Sequence, residues 1–563
     1  MKRLVITVFC SMLSMVAVLA QETPSPGWVG KALKSVVSVN TYDMENNLLK
    51  SGTGFYVSSD GVAVADYDLF RGAYSASVVD QSGKKYDVLR ILGANDTYGL
   101  VKFSTSARKV SAMTVASAVP SVGTKLLVLT YSKDKPGTCP AASVTATDTV
   151  GGGHPYFTLD YPIDIKYQGC PVMNPSGELV ATMQQPLANK GYAVGAGLAM
   201  SLSIDALGNK LDNFALENIH IKKGLPETME ESLVYLYIKG RSAGNEEYLD
   251  LLNLFVETYP DNAEGYCRRA TPLLDLCRFD EADSDLQTYY KLAQDKAAAN
   301  SRISDIIYTK LVYQPLPTYD KWSFDLALEY IDKAIDADPK FDYKLRKGQI
   351  LMAKKDYESA FGLYDEISRT TDKSPAIFYA VSLASEGKGD SIDVQIAYMD
   401  SAMAMFPDPL PAEAADYVIR RARLYAAAGR YRDAVNGYNQ FAFLSNSSVT
   451  PEFYYDRSQL EIKARMFQQA LDDLDTAIGN APDEPLYLVE KAALYLRVNQ
   501  LDECIATAAK VLELDPNQSD AYRIMGYAQV EKGDKVSARK NLQKAVDLGD
   551  ESAKELMEKF LDK

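Results

Sequence analysis

The segment AALYLRVNQLDECIATAAKVLELDP, residues 492–516, decides the fold of the second half of the chain. A small residue, Ala492, is followed twelve positions later by another, Cys504, with the large Leu501 three positions before it and Pro516 twelve positions after it. Two antiparallel helices approach closely where both contact residues are small, and proline cannot continue a helix. The segment therefore predicts a pair of packed antiparallel helices that ends at Pro516.

The same spacing occurs at five further places in the second half of the chain. The pairs of small residues are Ala270/Ala282, Gly348/Ala360, Ala422/Ala434, Ser458/Ala470 and Gly526/Ala538. In four of these pairs a large side chain again stands three positions before the second member: Phe279, Tyr357, Tyr431 and Phe467. A fixed period of this length is typical of repeat proteins, in which each helix pair packs against its neighbours.

This pattern resembles the tetratricopeptide repeat, and the resemblance covers about residues 229–550. We count about nine units, with weaker ones near 229–259, 298–339 and 375–407. The resemblance implies a superhelix whose inner surface comes mainly from first helices, closed by a polar-faced capping helix over 551–563. The residues expected on that surface, as candidates for binding a peptide, are Ile419, Arg423, Tyr455, Gln459, Val489, Ala493, Arg523 and Tyr527.

The composition of the chain changes near residue 210. Before it, Val, Thr, Ser and Gly dominate in short alternating runs, and after it Ala, Leu, Tyr, Glu, Asp and Lys recur at helical spacing. This change predicts an all-β domain followed by an all-α domain. We place the β domain at 21–207, a linker at 208–228 and the repeat array at 229–563.

The β domain resembles the HtrA-like branch of the trypsin-fold serine proteases. Four groups of residues follow the order of that family's motifs: Gly52-Thr53-Gly54-Phe55 with Asp60-Gly61 and Ala65-Asp66-Tyr67-Asp68-Leu69, then Asn95 to Lys102, then Lys166 to Asn174, then Gly191-Tyr192-Ala193-Val194. The resemblance spans about residues 36–200 and implies a trypsin-like double barrel. The expected fold is thus multidomain, with this double barrel followed by the tetratricopeptide-repeat superhelix.

The same resemblance implies that the catalytic residues are absent. The family's histidine falls on Asp68, its aspartate on Thr97 or Gly99, and its serine on Gln168. Serine hydrolysis needs a hydroxyl nucleophile, a base that takes its proton and an acid that orients the base. The chain has two histidines, His154 and His220, and neither lies in residues 21–153, where the family has its base. We therefore expect a pseudoprotease rather than an enzyme, with no catalytic residue.

The cysteines leave two further possibilities open. Cys170 stands two positions after the serine position, so a cysteine-type hydrolase that uses His154 as its base is an alternative. The resemblance favours a structural role instead, because the fold brings the strand after Cys139 near the nucleophile loop, and we expect a Cys139–Cys170 disulfide. Both histidines are expected to be surface residues.

The N-terminal residues and the overall charge indicate where the protein acts and what it does not bind. Residues 1–20 carry a basic start, an apolar run and a small-residue cleavage site, which is typical of a secretory signal peptide. We expect an exported protein of the periplasm or cell envelope, with no transmembrane segment after signal cleavage. A formal charge of −15 argues against a nucleic-acid partner. With few histidines and no paired cysteine motif, we expect no metal and no cofactor.

These observations favour an exported scaffold that binds a protein or peptide through its repeats. Two alternatives remain at this point. One is an active endopeptidase of the HtrA-like family, of serine or cysteine type. The other is a structural component of a cell-envelope complex.

Overall fold

The computed structural model describes residues 26–131, 139–160, 165–187, 190–206, 210–445 and 449–561. The chain forms two compact units, Met1–Ala293 and Gln294–Lys563. The predicted signal peptide, residues 1–20, lies outside the described residues.

The first unit begins with a closed six-stranded antiparallel barrel. Its strands are β1 Val36–Tyr42, β2 Leu48–Tyr56, β3 Val62–Asp66, β4 Ser75–Val79, β5 Lys85–Asn95 and β6 Leu100–Thr105. They are hydrogen-bonded in the order β1-β2-β3-β6-β5-β4. Short helices α1 (Val29–Ala32) and α2 (Tyr67–Phe70) precede β1 and follow β3. The hairpin between β2 and β3 turns at Gly61, where φ is +93° and a Cβ atom would lie 2.3 Å from the Ala107 carbonyl oxygen, so only glycine fits.

A second closed barrel of six strands follows. Its strands are β7 Lys125–Val128, β8 Ala141–Val150, β9 His154–Leu159, β10 Pro171–Met173, β11 Leu179–Met183 and β12 Gly191–Gly195, followed by helix α3 (Ala196–Ser201). Their order is β10-β11-β12-β9-β8-β7, which repeats the order of the first barrel. The predicted trypsin-like double barrel is confirmed.

The segment predicted as a linker packs against the first barrel. Helix α4 (Lys210–Glu217) lies against β5. The end of α4 and the residues that follow it form a segment, 215–223, that we call the strap. Ala215, Ile219 and Ile221 of the strap are almost fully buried in the core of the first barrel. The strap then pairs with the barrel through a bridge between Lys223 and Ile91. The strap is therefore part of the core of the first barrel, because its apolar side chains cover it.

The rest of the described chain is helical. The first unit holds α5 Met229–Lys239, α6 Asn245–Thr258, α7 Ala263–Asp275 and α8 Phe279–Leu292. The second unit holds α9 Lys296–Tyr313, α10 Phe324–Ala337, α11 Phe341–Lys354, α12 Tyr357–Ser368, α13 Pro375–Lys388, α14 Ile392–Met403, α15 Ala415–Ala427, α16 Tyr431–Leu444, α17 Pro451–Lys463, α18 Phe467–Asn480, α19 Pro485–Arg497, α20 Leu501–Leu514, α21 Ser519–Lys532, α22 Lys535–Asp547 and α23 Glu551–Phe560. Among the described residues, α5 to α22 are nine helix pairs, and α23 is the expected capping helix.

The spacing that predicted the pairs also explains their packing. All twelve small residues of the six pairs are buried, with Ala492 and Cys504 both inaccessible to solvent. Five of the six pairs have a large residue three positions before the second small residue. In each of these five pairs this residue, such as Leu501, is the first residue of the second helix. A Cβ atom added to Gly348 would lie 2.3 Å from the ring of Tyr364. The small residues are therefore required by the close approach of the helices.

The turn inside each of these six pairs contains one residue in the left-handed backbone region. It lies seven positions after the first small residue of the pair in all six. The six residues are Cys277, Lys355, Gly429, Arg465, Asn499 and Gly533, with φ between 58° and 85°. Four of the six positions thus carry a side chain in a region that glycine enters at lower cost.

Candidate functional site

The candidate site, where two of the predicted triad positions come together, is built around Asp66. Asp66 is the last residue of β3 and caps α2, because its Oδ1 accepts a 2.8 Å hydrogen bond from the backbone N–H of Asp68. Its Oδ2 accepts a second bond, 2.8 Å, from Nε2 of Gln168 in the loop before β10. The two barrels thus meet at a carboxylate and an amide.

The carboxyl of Asp66 is buried, with 4% of the residue exposed. Burial raises the pKa of Asp66 to about 6, while the hydrogen bonds from Gln168 and from the Asp68 backbone act in the opposite direction. Two glycines pack closely beside it. A Cβ atom on Gly169 would lie 3.1 Å from Asp66 Cβ, and one on Gly99 would lie 3.4 Å from Asp66 Oδ2.

The residues predicted at the triad positions divide into two groups. Gln168 and Gly99 lie beside Asp66. Asp68 is half-exposed and forms a 3.2 Å ion pair with Arg71, and Thr97 is exposed. Asp66 itself was not among the predicted site residues, although a carboxylate that directly ends an apolar strand is a usable signal for a helix cap.

Cys170 is fully buried in the core of the second barrel. Its Sγ lies 3.9 Å from the carbonyl oxygen of Lys166, and burial raises the pKa of the thiol to about 12. Since the thiolate is the reactive form of cysteine, this environment makes Cys170 a poor nucleophile.

The predicted disulfide between Cys139 and Cys170 is not formed in the structure, where Cys170 is a thiol. The physical reason is that the two side chains pack in different clusters. Cys170 is in the core of the second barrel, whereas Cys139 packs against a separate cluster formed by residues of both barrels, among them Leu100 and Met173.

The two histidines lie away from Asp66 in separate environments. His154 is the first residue of β9, and its Nε2 lies 3.5 Å from Oγ of Ser201. Ser201 also donates to the carbonyl oxygen of Leu198. His220 is exposed and stacks on the ring of Tyr74 with 4.2 Å between ring centroids.

Several residues predicted to bind a peptide make contacts inside the repeat unit. Ile419 is buried in the core between helices. Arg523 forms a 2.7 Å ion pair with Asp550, which caps α23. The ring centroid of Tyr527 lies 5.8 Å from that of Phe560, the last residue of α23. Ile419 is therefore unavailable to a ligand, and Arg523 and Tyr527 hold the capping helix.

The other predicted binding residues are more accessible. Arg423 is exposed on α15, and Gln459 is half-buried on α17. Tyr455 is half-buried with its ring centroid 5.4 Å from that of Tyr487. Val489 and Ala493 are half-buried in the core cluster of α19 to α21.

A set of ion pairs that the sequence analysis did not foresee runs through the repeats. In five pairs the residue just before the first small residue is basic, and it binds an aspartate of a second helix. The pairs are Arg269–Asp285 (2.7 Å), Lys347–Asp332 (2.8 Å), Arg421–Asp400 (3.1 Å), Arg457–Asp473 (2.6 Å) and Lys491–Asp475. These cations recur at one position of the repeat, and each of them is already paired with an aspartate of the chain.

Within the described ranges, no group of three or more His, Cys, Asp or Glu side chains is arranged to hold a metal ion. No described helix combines the length and apolar character that crossing a membrane requires.

Comparisons with known proteins agree with this architecture. The tetratricopeptide repeat family model matches residues 323–375 and 419–485. The TPR repeat-containing protein MJ1428 of Methanocaldococcus jannaschii is 24% identical over 224 residues, which is 38% of this chain and 37% of that protein. The DnaJ protein P58IPK homolog of Arabidopsis thaliana is 30% identical over 115 residues, which is 20% of this chain and 24% of that protein. The chain thus matches only 37% and 24% of the lengths of these two relatives.

Among solved structures, the serine endoprotease from Yersinia pestis is similar, with a TM-score of 0.27 and 20% sequence identity. The match covers 31% of this chain and 62% of that protein. The chain thus combines two closed six-stranded barrels with helix pairs, of which residues 323–375 and 419–485 match the tetratricopeptide repeat model.

Proposed function

We propose that this protein is a non-catalytic scaffold, in which a pseudoprotease barrel is joined to repeats that bind a protein or peptide. The observation that carries the proposal is the 2.8 Å hydrogen bond from Gln168 to the buried carboxylate of Asp66. An amide has no nucleophilic oxygen that a base can activate, and here it is committed to a structural partner.

The surroundings of Asp66 support this interpretation. Asp68, at the position of the family's histidine, is paired with Arg71, and its backbone oxygen accepts a 2.6 Å hydrogen bond from Lys50. A carboxylate held in this way cannot act as the base that an imidazole provides in a serine protease. The buried Cys170, with its raised pKa, is equally unsuited to replace the serine.

The repeats support the binding half of the proposal. Stacked helix pairs present a continuous surface to a partner, and recognition of peptides by such surfaces is a common use of the architecture. Arg423, Tyr455 and Gln459 are the residues of our predicted set that retain accessible surface. We further propose that the protein acts in the periplasm or cell envelope, on the basis of the signal-like pattern of residues 1–20.

A labelling experiment tests the catalytic half. The purified full-length protein is incubated with a fluorophosphonate probe and, separately, with casein. We expect neither labelling nor turnover, and we expect the same for Gln168→Ser, because a hydroxyl without a base is not activated. Turnover by the native protein that disappears in Gln168, Asp68 or Cys170 variants would identify an endopeptidase and overturn the proposal.

The binding half is tested by cross-linking the full-length protein in intact cell envelopes. We expect a defined protein partner whose recovery falls at least tenfold in an Arg423→Glu variant. A matched control is Arg432→Glu, at an arginine on the second helix of the same pair. Recovery of no partner, or an equal loss in both variants, would contradict binding through this face.

A further inference from the structure

A cavity of about 920 Å³ opens in the first unit, between the strap and helices α5 and α6. Ile219 and Ile221 line it from the strap, and Tyr235, Ile238 and Leu249 line it from the helices. A volume of this size is typical of clefts that hold a ligand much larger than one side chain. Asp66, Gln168 and the eight residues predicted to bind a peptide are not among the residues that line it.

The strap cations that line the cavity already have partners. Lys222 donates from Nζ to Asp250 Oδ1 at 2.5 Å, and Arg90 holds the other carboxylate oxygen at 2.6 Å. Lys223 donates from Nζ to the carbonyl oxygens of Ile219 and Ile221. These cations stabilise the junction between strap, barrel and α6.

The cations contributed by the helical segments are also engaged. Lys239 lies 3.9 Å from Glu247 Oε1, and Arg278 binds both carboxylate oxygens of Glu281 at 2.7 Å. The positive charges around the cavity are therefore matched by groups of the chain itself.

Two carboxylates that line the cavity differ from these cations. Glu217 at the end of α4 and Glu246 in the first turn of α6 are exposed, and no hydrogen bond or ion pair joins either of them directly to another described residue. Glu246 interacts only at longer range with the charge of Arg278, which is itself paired with Glu281. The charges that the cavity leaves without a direct partner for a ligand are therefore these two carboxylates. Ile238, which is 40% exposed, adds an apolar contact at the same wall.

We propose that this cavity binds a peptide segment of a partner protein in which an apolar side chain is flanked by lysine or arginine. The apolar side chain enters between the strap and Ile238, and the flanking cations pair with Glu217 and Glu246. Such a segment combines burial of apolar surface with electrostatic complementarity. The inference rests on the proposed binding function but assigns a separate site and a ligand chemistry to it.

The test uses the full-length protein and a fluorescein-labelled peptide in which lysine and leucine alternate over seven residues. Binding is followed by fluorescence anisotropy at low ionic strength, where charge pairs are least screened. We expect the double variant Glu217→Lys/Glu246→Lys to weaken binding at least tenfold. Ile238→Ser should weaken it by several fold. A peptide of alternating glutamate and leucine should bind more weakly than the basic one.

The control is Glu230→Lys/Glu257→Lys, which changes the total charge equally at two exposed residues of α5 and α6 outside the cavity lining. It should bind the basic peptide within about twofold of the native protein, and circular dichroism checks that all variants are folded. Equal weakening in both double variants would mean that the peptide responds only to net charge.

Three other results would also overturn the cavity site: unchanged binding in the cavity variants, no binding of the basic peptide, or tighter binding of the acidic one. None of these would touch the scaffold proposal, because that function is judged by protease probes and by partners cross-linked through Arg423.

Discussion

Nε2 of Gln168 lies 2.8 Å from Oδ2 of Asp66, so a side chain of the loop before the second barrel completes the hydrogen bonding of a carboxylate in the first. The contact thus joins the two barrels through a hydrogen bond to a buried carboxylate. It also makes the stability of the barrel pair depend on one amide.

Replacement of that amide should therefore be costly. Gln168→Ala leaves Asp66 Oδ2 buried without its donor, and we expect a loss of about 1.5–3 kcal/mol in the free energy of unfolding. Differential scanning calorimetry at neutral pH measures this loss. Thr97→Ala, at the exposed alternative triad position, is the control and should change stability by less than about 0.5 kcal/mol. An equal effect of both substitutions would contradict the structural role of Gln168.

The raised pKa of Asp66 predicts a pH dependence. In the folded state this pKa is about 6, above the ordinary value of 3.8, so between these pH values the folded protein retains a proton that the unfolded chain has lost. The contribution of Asp66 to stability should fall by up to about 3 kcal/mol as pH rises from 4 to 6, and then stay constant. In Asp66→Asn this part of the slope should vanish, which calorimetry across that range detects. A slope that survives in the variant would assign it to other groups.

Glu461 predicts a second pH effect, in the repeats. Burial and the neighbouring charge of Asp473 raise its pKa well above the ordinary value of 4.5, so the folded protein keeps this proton over a pH range in which the unfolded chain has lost it. Stability should therefore decline as pH rises from the ordinary value of 4.5 towards the raised pKa of the folded state. Glu461→Gln should match the native protein near pH 5. At pH 9 it should show slower hydrogen exchange in α17 and α18. Equal exchange of both proteins at pH 9 would show that Glu461 is not buried as described.

The left-handed turns predict substitutions that stabilise the protein. Lys355→Gly and Arg465→Gly relieve the side-chain conflict at φ of 66° and 60°, and each should gain about 0.5–1 kcal/mol. The reverse change, Gly429→Ala at φ of 74°, should lose about 1 kcal/mol or more. Thermal unfolding of the three variants measures this contrast. A uniform direction of change would show that backbone conformation does not control these turns.

The close helix contacts predict opposite effects for two glycines of one repeat. Gly348→Ala places a Cβ atom 2.3 Å from the Tyr364 ring, and we expect a loss of about 1–3 kcal/mol. Gly362→Ala, on α12, meets no atom within 4 Å and should be neutral or stabilise by up to about 1 kcal/mol. Urea unfolding curves separate the two cases, and equal destabilisation by both would argue against the packing described.

The helix pairs were predictable because their cause is local. A small residue and its partner twelve positions later, as in Ala422 and Ala434, are both required by one contact, and their spacing is visible in any single sequence. Even the turn could have been recognised, since Gly429 and Gly533 both stand seven positions after a small residue. The prediction of the double barrel depended on the order of the motifs rather than on their spacing, because strand pairing joins residues that are far apart in the sequence.

The candidate sites were less predictable, because side-chain partners are set by tertiary packing. Repeat position alone put Arg523 on a binding surface, but the capping helix brings Asp550 to it. Asp66 was overlooked for the same reason, since nothing in the sequence near it indicates that Gln168, 102 residues away, is its partner. The strap was placed in the linker because it lies where the composition changes, and nothing in its own sequence shows that Ala215, Ile219 and Ile221 pack on the first barrel.

The strap sets a practical boundary for anyone who divides this protein into parts. A fragment that stops at residue 207 would lack Ala215, Ile219 and Ile221, and would expose the apolar surface that they cover on the first barrel. Such a fragment would be prone to aggregate, and its failure to bind a partner would say nothing about the barrels. The shortest piece worth expressing extends past Lys223, and the most informative one ends at the boundary between the two compact units, after Ala293.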